Sequence, residues 1–107
     1  MPSVNEVRSK IWNKDSVLNL FDDGEYSAIW GTIESETTRS LGVRWNGNDN
    51  YIGYPNQGKN AVWYSEPRFL EHAILSTLLA KTKEMSSNEK TEQYKNNILV
   101  ALSECNS

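Results

Sequence analysis

Leu70, Ala73, Ile74, Thr77 and Leu78 recur at helical spacing, and Phe69, Leu75 and Leu79 widen the stripe they make. Ser65-Glu66-Pro67 stands just ahead of it, a capping residue followed by a proline near the first helical position, where a missing N–H costs nothing. The spacing predicts a heavily buried helix over 67–82. Such a helix needs a surface to lie across, and the residues before it carry the patterns of a sheet.

Residues 25–34 hold Tyr26, Ala28, Ile29, Trp30, Thr32 and Ile33, β-branched and aromatic groups at both parities, as in an inner strand packed on both sides. After a polar turn at 35–39, Leu41, Val43 and Trp45 alternate with Gly42, Arg44 and Asn46. The strands at 25–34 and 40–46 are therefore read as an antiparallel hairpin, and 60–65 as a third strand. A further strand at 51–54 is too short to claim. Ahead of the hairpin, Ser3 and Glu6 have the form of a capping box, and Val4, Val7 and Ile11 follow at helical spacing. Asp15-Ser16 gives a second start signal before Val17, Leu18 and Phe21, and Asp23-Gly24 ends the stretch. Residues 4–22 are read as an N-terminal helical segment broken near Asn13, with a strand over 7–12 as the competing reading.

Ser86 with Glu89 has the form of another capping box, and Tyr94, Ile98, Ala101, Leu102 and Cys105 follow on one helical face. This predicts a terminal helix over 88–104, paired with the helix at 67–82 through a short polar loop. The expected fold class is α+β: a small antiparallel β-sheet packed on one face by C-terminal helices, with an N-terminal helical segment. At 107 residues the chain suits a single domain spanning 1–107. A three-stranded sheet gives a small core, so a homodimer formed through the last helix or a sheet edge would add burial.

The chemistry that the composition excludes is broad. Eleven Lys and Arg against 14 Asp and Glu leave a net charge of −3, which disfavours nucleic acid as a partner. No apolar run approaches the roughly 18 residues that cross a bilayer, and the first residues lack the apolar core of a secretory signal, so no membrane association and a cytoplasmic location are expected. Cys105 is the single cysteine, so no disulfide or thiolate metal cluster forms within the chain, and no cofactor is expected. Asp22, Asp23 and Glu25 lack the spacing of a cation loop, and the glycines at 42, 47, 53 and 58 do not lead into a helix as a phosphate loop would. His72, beside Glu71, is the single histidine and the best case for a general base, yet no nucleophile or second histidine stands at telling spacing. The sequence carries no positive mark of an enzyme.

Its strongest functional signal is a segment where rings and amides interleave. Trp45, Tyr51, Tyr54, Trp63 and Tyr64 fall within twenty residues, among Arg44, Asn46, Asn48, Asp49, Asn50, Asn56, Gln57 and Asn60. Read as one ordered loop, 46–60 would hold a flat ligand by stacking and orient it with amides. The ligand-binding candidates are Arg44, Trp45, Tyr51, Tyr54, Asn56, Gln57 and Trp63. Arg44, on the opposite strand parity from Val43 and Trp45, would face away from the core and could grip an anion, or equally pair with an acid or a ring. The strand positions of Trp45 and Trp63 also suit a plain core role.

Leu41-Gly42-Val43-Arg44-Trp45-Asn46-Gly47, Gly53-Tyr54-Pro55-Asn56-Gln57-Gly58 and Val62-Trp63-Tyr64, leading through Pro67 to Leu78, resemble short bacterial proteins carried on mobile elements such as integron gene cassettes. The resemblance spans roughly 15–80 and implies a compact cytoplasmic binding or interaction module, with no functional residue carried over. The reading is a non-enzymatic module that holds a small organic ligand or peptide at 46–60. Its alternative is an interaction protein of the immunity or antitoxin kind, acidic so as to pair with a basic protein partner. A small enzyme using His72 comes last.

Overall fold

The computed structural model describes residues 12–47, 50, 53, 54, 56, 57 and 60–105, with the backbone alone at 56, 57, 60 and 61. Where the spacing predicts a helix, β1 (Leu18–Asp22) pairs antiparallel with β2 (Tyr26–Gly31). The register shifts between Asn19 and Phe21, a bulge that sends both Leu20 and Phe21 into the core and so erases the alternation by which a strand is recognised. Lys14–Ser16 forms one 3-10 turn, and the Ser16 hydroxyl accepts the Thr32 N–H at 2.8 Å instead of capping a helix. Residues 4–11 lie outside those described. Of the competing strand at 7–12, Trp12 alone is described, and it forms a single antiparallel bridge to Ile33. Asp22 and Asp23 make the β1–β2 turn: Asp22 Oδ1 accepts the Gly24 N–H, and Asp23 Oδ1 accepts those of Glu25 and Tyr26.

The predicted hairpin is present. β3 (Ser40–Trp45) runs antiparallel to β2, with Tyr26 opposite Trp45, Ala28 opposite Val43 and Trp30 opposite Leu41. The expected strand at 60–65 is divided. β4 (Asn56–Gln57) pairs with β5 (Asn60–Ala61) as a separate two-stranded ribbon, and β6 (Tyr64–Ser65) joins β3, giving a four-stranded antiparallel sheet of order β1-β2-β3-β6. The break falls where the Val62 carbonyl accepts a hydrogen bond from Arg44 Nη1 and leaves the ladder. The segment 46–60 is thus a ribbon plus a bridge to β3, not one loop.

α1 (Arg68–Glu84) and α2 (Glu89–Glu104) pack on each other and on one face of the sheet. Pro67 sits at the N-cap of α1, and its side chain makes no capping hydrogen bond. The box at the start of α2 is Asn88 with Thr91, each side chain holding the other's backbone N–H, in place of the expected Ser86 and Glu89. Leu20, Phe21, Ala28, Trp30, Leu41 and Val43 of the sheet form one core with Leu75, Leu78, Ile98 and Ala101 of the helices. α1 turns in a different face from the predicted stripe: Glu71, Leu75, Leu78 and Thr82 are buried, whereas Phe69 is 83% exposed and Leu70, Ala73 and Thr77 are exposed. On the other face of the sheet Ile29 and Ile33 are buried, and the Trp12 ring lies so close over Gly42 that a Cβ there would stand 2.7 Å from it.

Candidate functional site

Residues opposite one another in an antiparallel sheet share a face, so the register builds the site directly. Tyr26 is opposite Trp45, and Trp45 forms a further bridge to Tyr54, with Trp45 N–H donating to the Tyr54 carbonyl at 2.6 Å and Tyr54 N–H returning to the Trp45 carbonyl at 2.9 Å. In the next row Ala28 is opposite Val43 and Val43 opposite Tyr64. Four rings therefore share the face that the helices cover elsewhere. Here they leave it open: Trp45 is 55% exposed, Tyr54 60% and Tyr64 50%.

Tyr26, Trp45, Tyr54 and Tyr64, with Val43, Arg44 and Glu66, line a recess of about 240 Å³. The Tyr26 and Trp45 rings meet edge to face, with centroids 4.8 Å apart and planes at 65°. They make a corner, not a flat stack. Burial raises the Tyr26 phenol above its ordinary pKa, and the nearby Glu66 charge raises it further. Glu66 is fixed by its backbone N–H, which donates to the Leu41 carbonyl at 3.0 Å.

Arg44 is 6% exposed and behaves as a pillar. Strand alternation carries its side chain to the sheet's opposite face, where Nη1 donates to the Val62 carbonyl at 3.1 Å and Cζ lies 5.9 Å from the centre of the Trp63 ring. Gly53 closes this corner at φ +90°, and a Cβ there would run into the Trp45 carbonyl oxygen and come within 2.6 Å of Arg44 Nη2.

Of the residues predicted as ligand contacts, Trp45 and Tyr54 come together in this recess, and Arg44 borders it with its guanidinium engaged by Val62 and Trp63. Trp63 does not; it is half-buried and lines a different depression, of about 400 Å³, with Asn46, Ser27 and Tyr94 among others. Neither tryptophan belongs to the core, contrary to the competing reading of their strand positions. Tyr51 and the side chains of Asn56 and Gln57 lie outside the described residues. Tyr26, Tyr64 and Glu66 were missed. Tyr64 sits inside the aromatic segment, Tyr26 could have been found by running the hairpin register out to Trp45, and Glu66 is disguised as part of a helix start.

A larger cleft of about 830 Å³ lies beside the start of α1 and the end of α2, lined in part by Thr38, Arg39, Arg68, Glu71 and Glu104. Its charges answer one another: Arg39 pairs with Glu104 at 3.2 Å and Arg68 with Glu71 at 3.4 Å, and Arg68 Nη2 donates to the Thr38 hydroxyl. His72 is exposed on α1. Among the described residues, no group of three or more His, Cys, Asp or Glu converges to hold a metal ion, and no helix is long and apolar enough to cross a membrane. No family model, curated protein or solved structure matches the chain.

Proposed function

We propose that this chain is a non-enzymatic binding module whose site is the aromatic recess at the outer end of β3. One observation carries the reading: three large rings, each at least half exposed, converge on one concavity with a fourth ring as its wall. Exposed rings gathered at one place gain free energy when a ligand or partner covers them, and tyrosine and tryptophan lose little conformational entropy in doing so. At about 240 Å³ the recess is smaller than the roughly 300–1,000 Å³ of drug-sized sites, so it suits one small organic group or one side chain of a peptide.

A second reading, an interaction module of the immunity or antitoxin kind for a basic protein partner, draws on the net charge of −3 and on the acidic turn at Asp22, Asp23 and Glu25. The turn adjoins the same end of β3, because Asn46 Nδ2 donates to Asp22 Oδ1 and Asn46 N–H to the Glu25 carbonyl. A homodimer has its support in Leu99 and Val100, which α2 leaves exposed. We place the protein in the cytoplasm, where a lone cysteine stays reduced. The resemblance to small proteins of bacterial mobile elements points to the same compact binding role.

A thermal-shift screen over metabolites, nucleotides, peptides and organic cations tests the reading, with light scattering to fix the mass. A ligand that binds the folded state alone raises the melting temperature. The expected result is a shift that Tyr54→Ala removes while the variant remains folded. A shift that Tyr54→Ala leaves intact moves the site elsewhere, and a flat panel sends the function to a protein partner.

A further inference from the structure

Resting on that binding role, we infer that the recess is a cage for an organic ammonium group, whose charge is met by the exposed rings of Trp45, Tyr54 and Tyr64 and by the Glu66 carboxylate. The rings supply the first half of the recognition. An aromatic face carries the negative end of a quadrupole, and a cation surrounded by several such faces is held without strong directional bonds. Non-coplanar rings do this better than a stack, and the edge-to-face corner of Tyr26 and Trp45, extended by Tyr54 and Tyr64 on the same sheet face, provides them.

Glu66 supplies the second half. Its residue is half-buried, its backbone is tied to Leu41, and among the described residues its carboxylate makes no hydrogen bond or ion pair. A neutral flat ligand entering the recess would strip water from that carboxylate and return nothing, and an anionic ligand would be repelled by it. A cation turns the same desolvation into an attraction. Arg44 lines the recess, and its charge works against a second cation. Its guanidinium, however, is engaged by Val62 and Trp63 on the other side of the sheet, so it does not occupy the cage. The net charge of −3 adds a long-range pull in the same direction.

Isothermal titration of the intact protein decides the matter with choline and with 3,3-dimethylbutan-1-ol, its uncharged isostere of the same shape. Choline is expected to bind about tenfold or more tightly than the isostere, to weaken with added salt, and to lose most of that margin in Glu66→Gln, whose side chain keeps the same size. The comparison of the two probes on the unaltered chain stands even if a variant fails to fold. Equal binding of choline and the isostere overturns the cation assignment and leaves the binding role standing. Binding of neither, with a hit of another chemical class in the thermal screen, overturns the cation assignment alone. Binding of neither with no hit at all overturns both. An amidated N-acetyl-trimethyllysine peptide separates the sources of the cation: tighter binding than choline assigns it to a protein side chain, and weaker binding to a free small molecule.

Discussion

Glu71 on the first turn of α1 accepts the backbone N–H of Leu41, in the middle of the sheet, on Oε2 at 3.2 Å, with the carboxylate 2% exposed. A helix residue thus completes the hydrogen bonding of β3. Oε1 of the same carboxylate lies 3.4 Å from Arg68, whose Nη1 also donates to the Arg39 carbonyl at 2.6 Å. A buried acid with both oxygens engaged is tolerable, but a buried N–H with no acceptor is not. Glu71→Ala is expected to destabilise the protein by about 2–3 kcal/mol, lowering the melting temperature by roughly 10 °C. Glu71→Gln keeps an acceptor for Leu41 and is expected to cost less than half as much. Urea denaturation of both variants checks the order; equal losses would mean that charge, not the Leu41 bond, matters.

At the other end of the same cleft, Trp30 Nε1 donates to Glu104 Oε1 at 2.8 Å while Arg39 pairs with Oε2. An acid in the last turn of a helix is disfavoured by the helix dipole, so Glu104 is held there by its two partners. Trp30 is 1% exposed, and its indole N–H has this carboxylate as its acceptor. Glu104→Ala is expected to cost about 1–2 kcal/mol and to shift the near-UV dichroism of the buried indole, whereas Arg39→Ala, which removes the more exposed partner, is expected to cost under about 1 kcal/mol. Chemical denaturation of the two variants checks the ranking.

These carboxylates also explain what the sequence made legible. The hairpin at β2–β3 and the Tyr94, Ile98, Ala101 face of α2 could be read from apolar periodicity because the residues they give to the core, Ala28, Trp30, Leu41, Val43, Ile98 and Ala101 among them, are all apolar, while the buried Arg44 falls on the other strand parity. α1 misled the same method, since two of its four buried positions, Glu71 and Thr82, are polar and count as solvent-facing. Glu71 is satisfied by Leu41 and Arg68, and the Thr82 hydroxyl donates to the Leu78 carbonyl at 2.8 Å, relations that exist only once the chain has folded. β1 was lost to a bulge that places adjacent Leu20 and Phe21 both inward. In the recess, Trp45 and Tyr54 were legible as an aromatic cluster within one segment, whereas Tyr26 reaches the site through a register and Glu66 through the turn after β6.

The β1–β2 turn gives the chain a predictable acid limb. Hydrogen bonds from the Tyr26 and Glu25 amides hold the Asp23 carboxyl below its ordinary value of 3.8. The folded state therefore binds this proton more weakly than the unfolded state, so the contribution to stability is full above about pH 4 and is lost as the pH falls through the depressed folded value. Asp23→Ala is expected to lower stability at pH 7 and to flatten its dependence on pH between about 2 and 4, read from urea denaturation across that range. An unchanged slope would assign the acid limb to other carboxyls.

Two glycines with the same backbone angle separate strain from contact. Gly24 at φ +94° has no atom of the described residues within 4 Å of where a Cβ would stand, whereas at Gly53, φ +90°, the Cβ would strike the Trp45 carbonyl oxygen that accepts the Tyr54 N–H. Gly24→Ala therefore meets only the backbone cost of a left-handed angle, about 1–3 kcal/mol, spread over the whole fold. Gly53→Ala meets that cost and must also push Tyr54 off Trp45, which opens one corner of the recess without touching the core. Hydrogen exchange is the discriminating measurement. In Gly53→Ala the Trp45 and Tyr54 amides are expected to lose protection while amides in the centre of α1 and α2 keep theirs, and any ligand response of the recess disappears with them. In Gly24→Ala both amides keep their protection relative to the global opening, and the ligand response survives. A uniform loss across the chain in Gly53→Ala would mean that the Trp45–Tyr54 bridge supports the sheet itself.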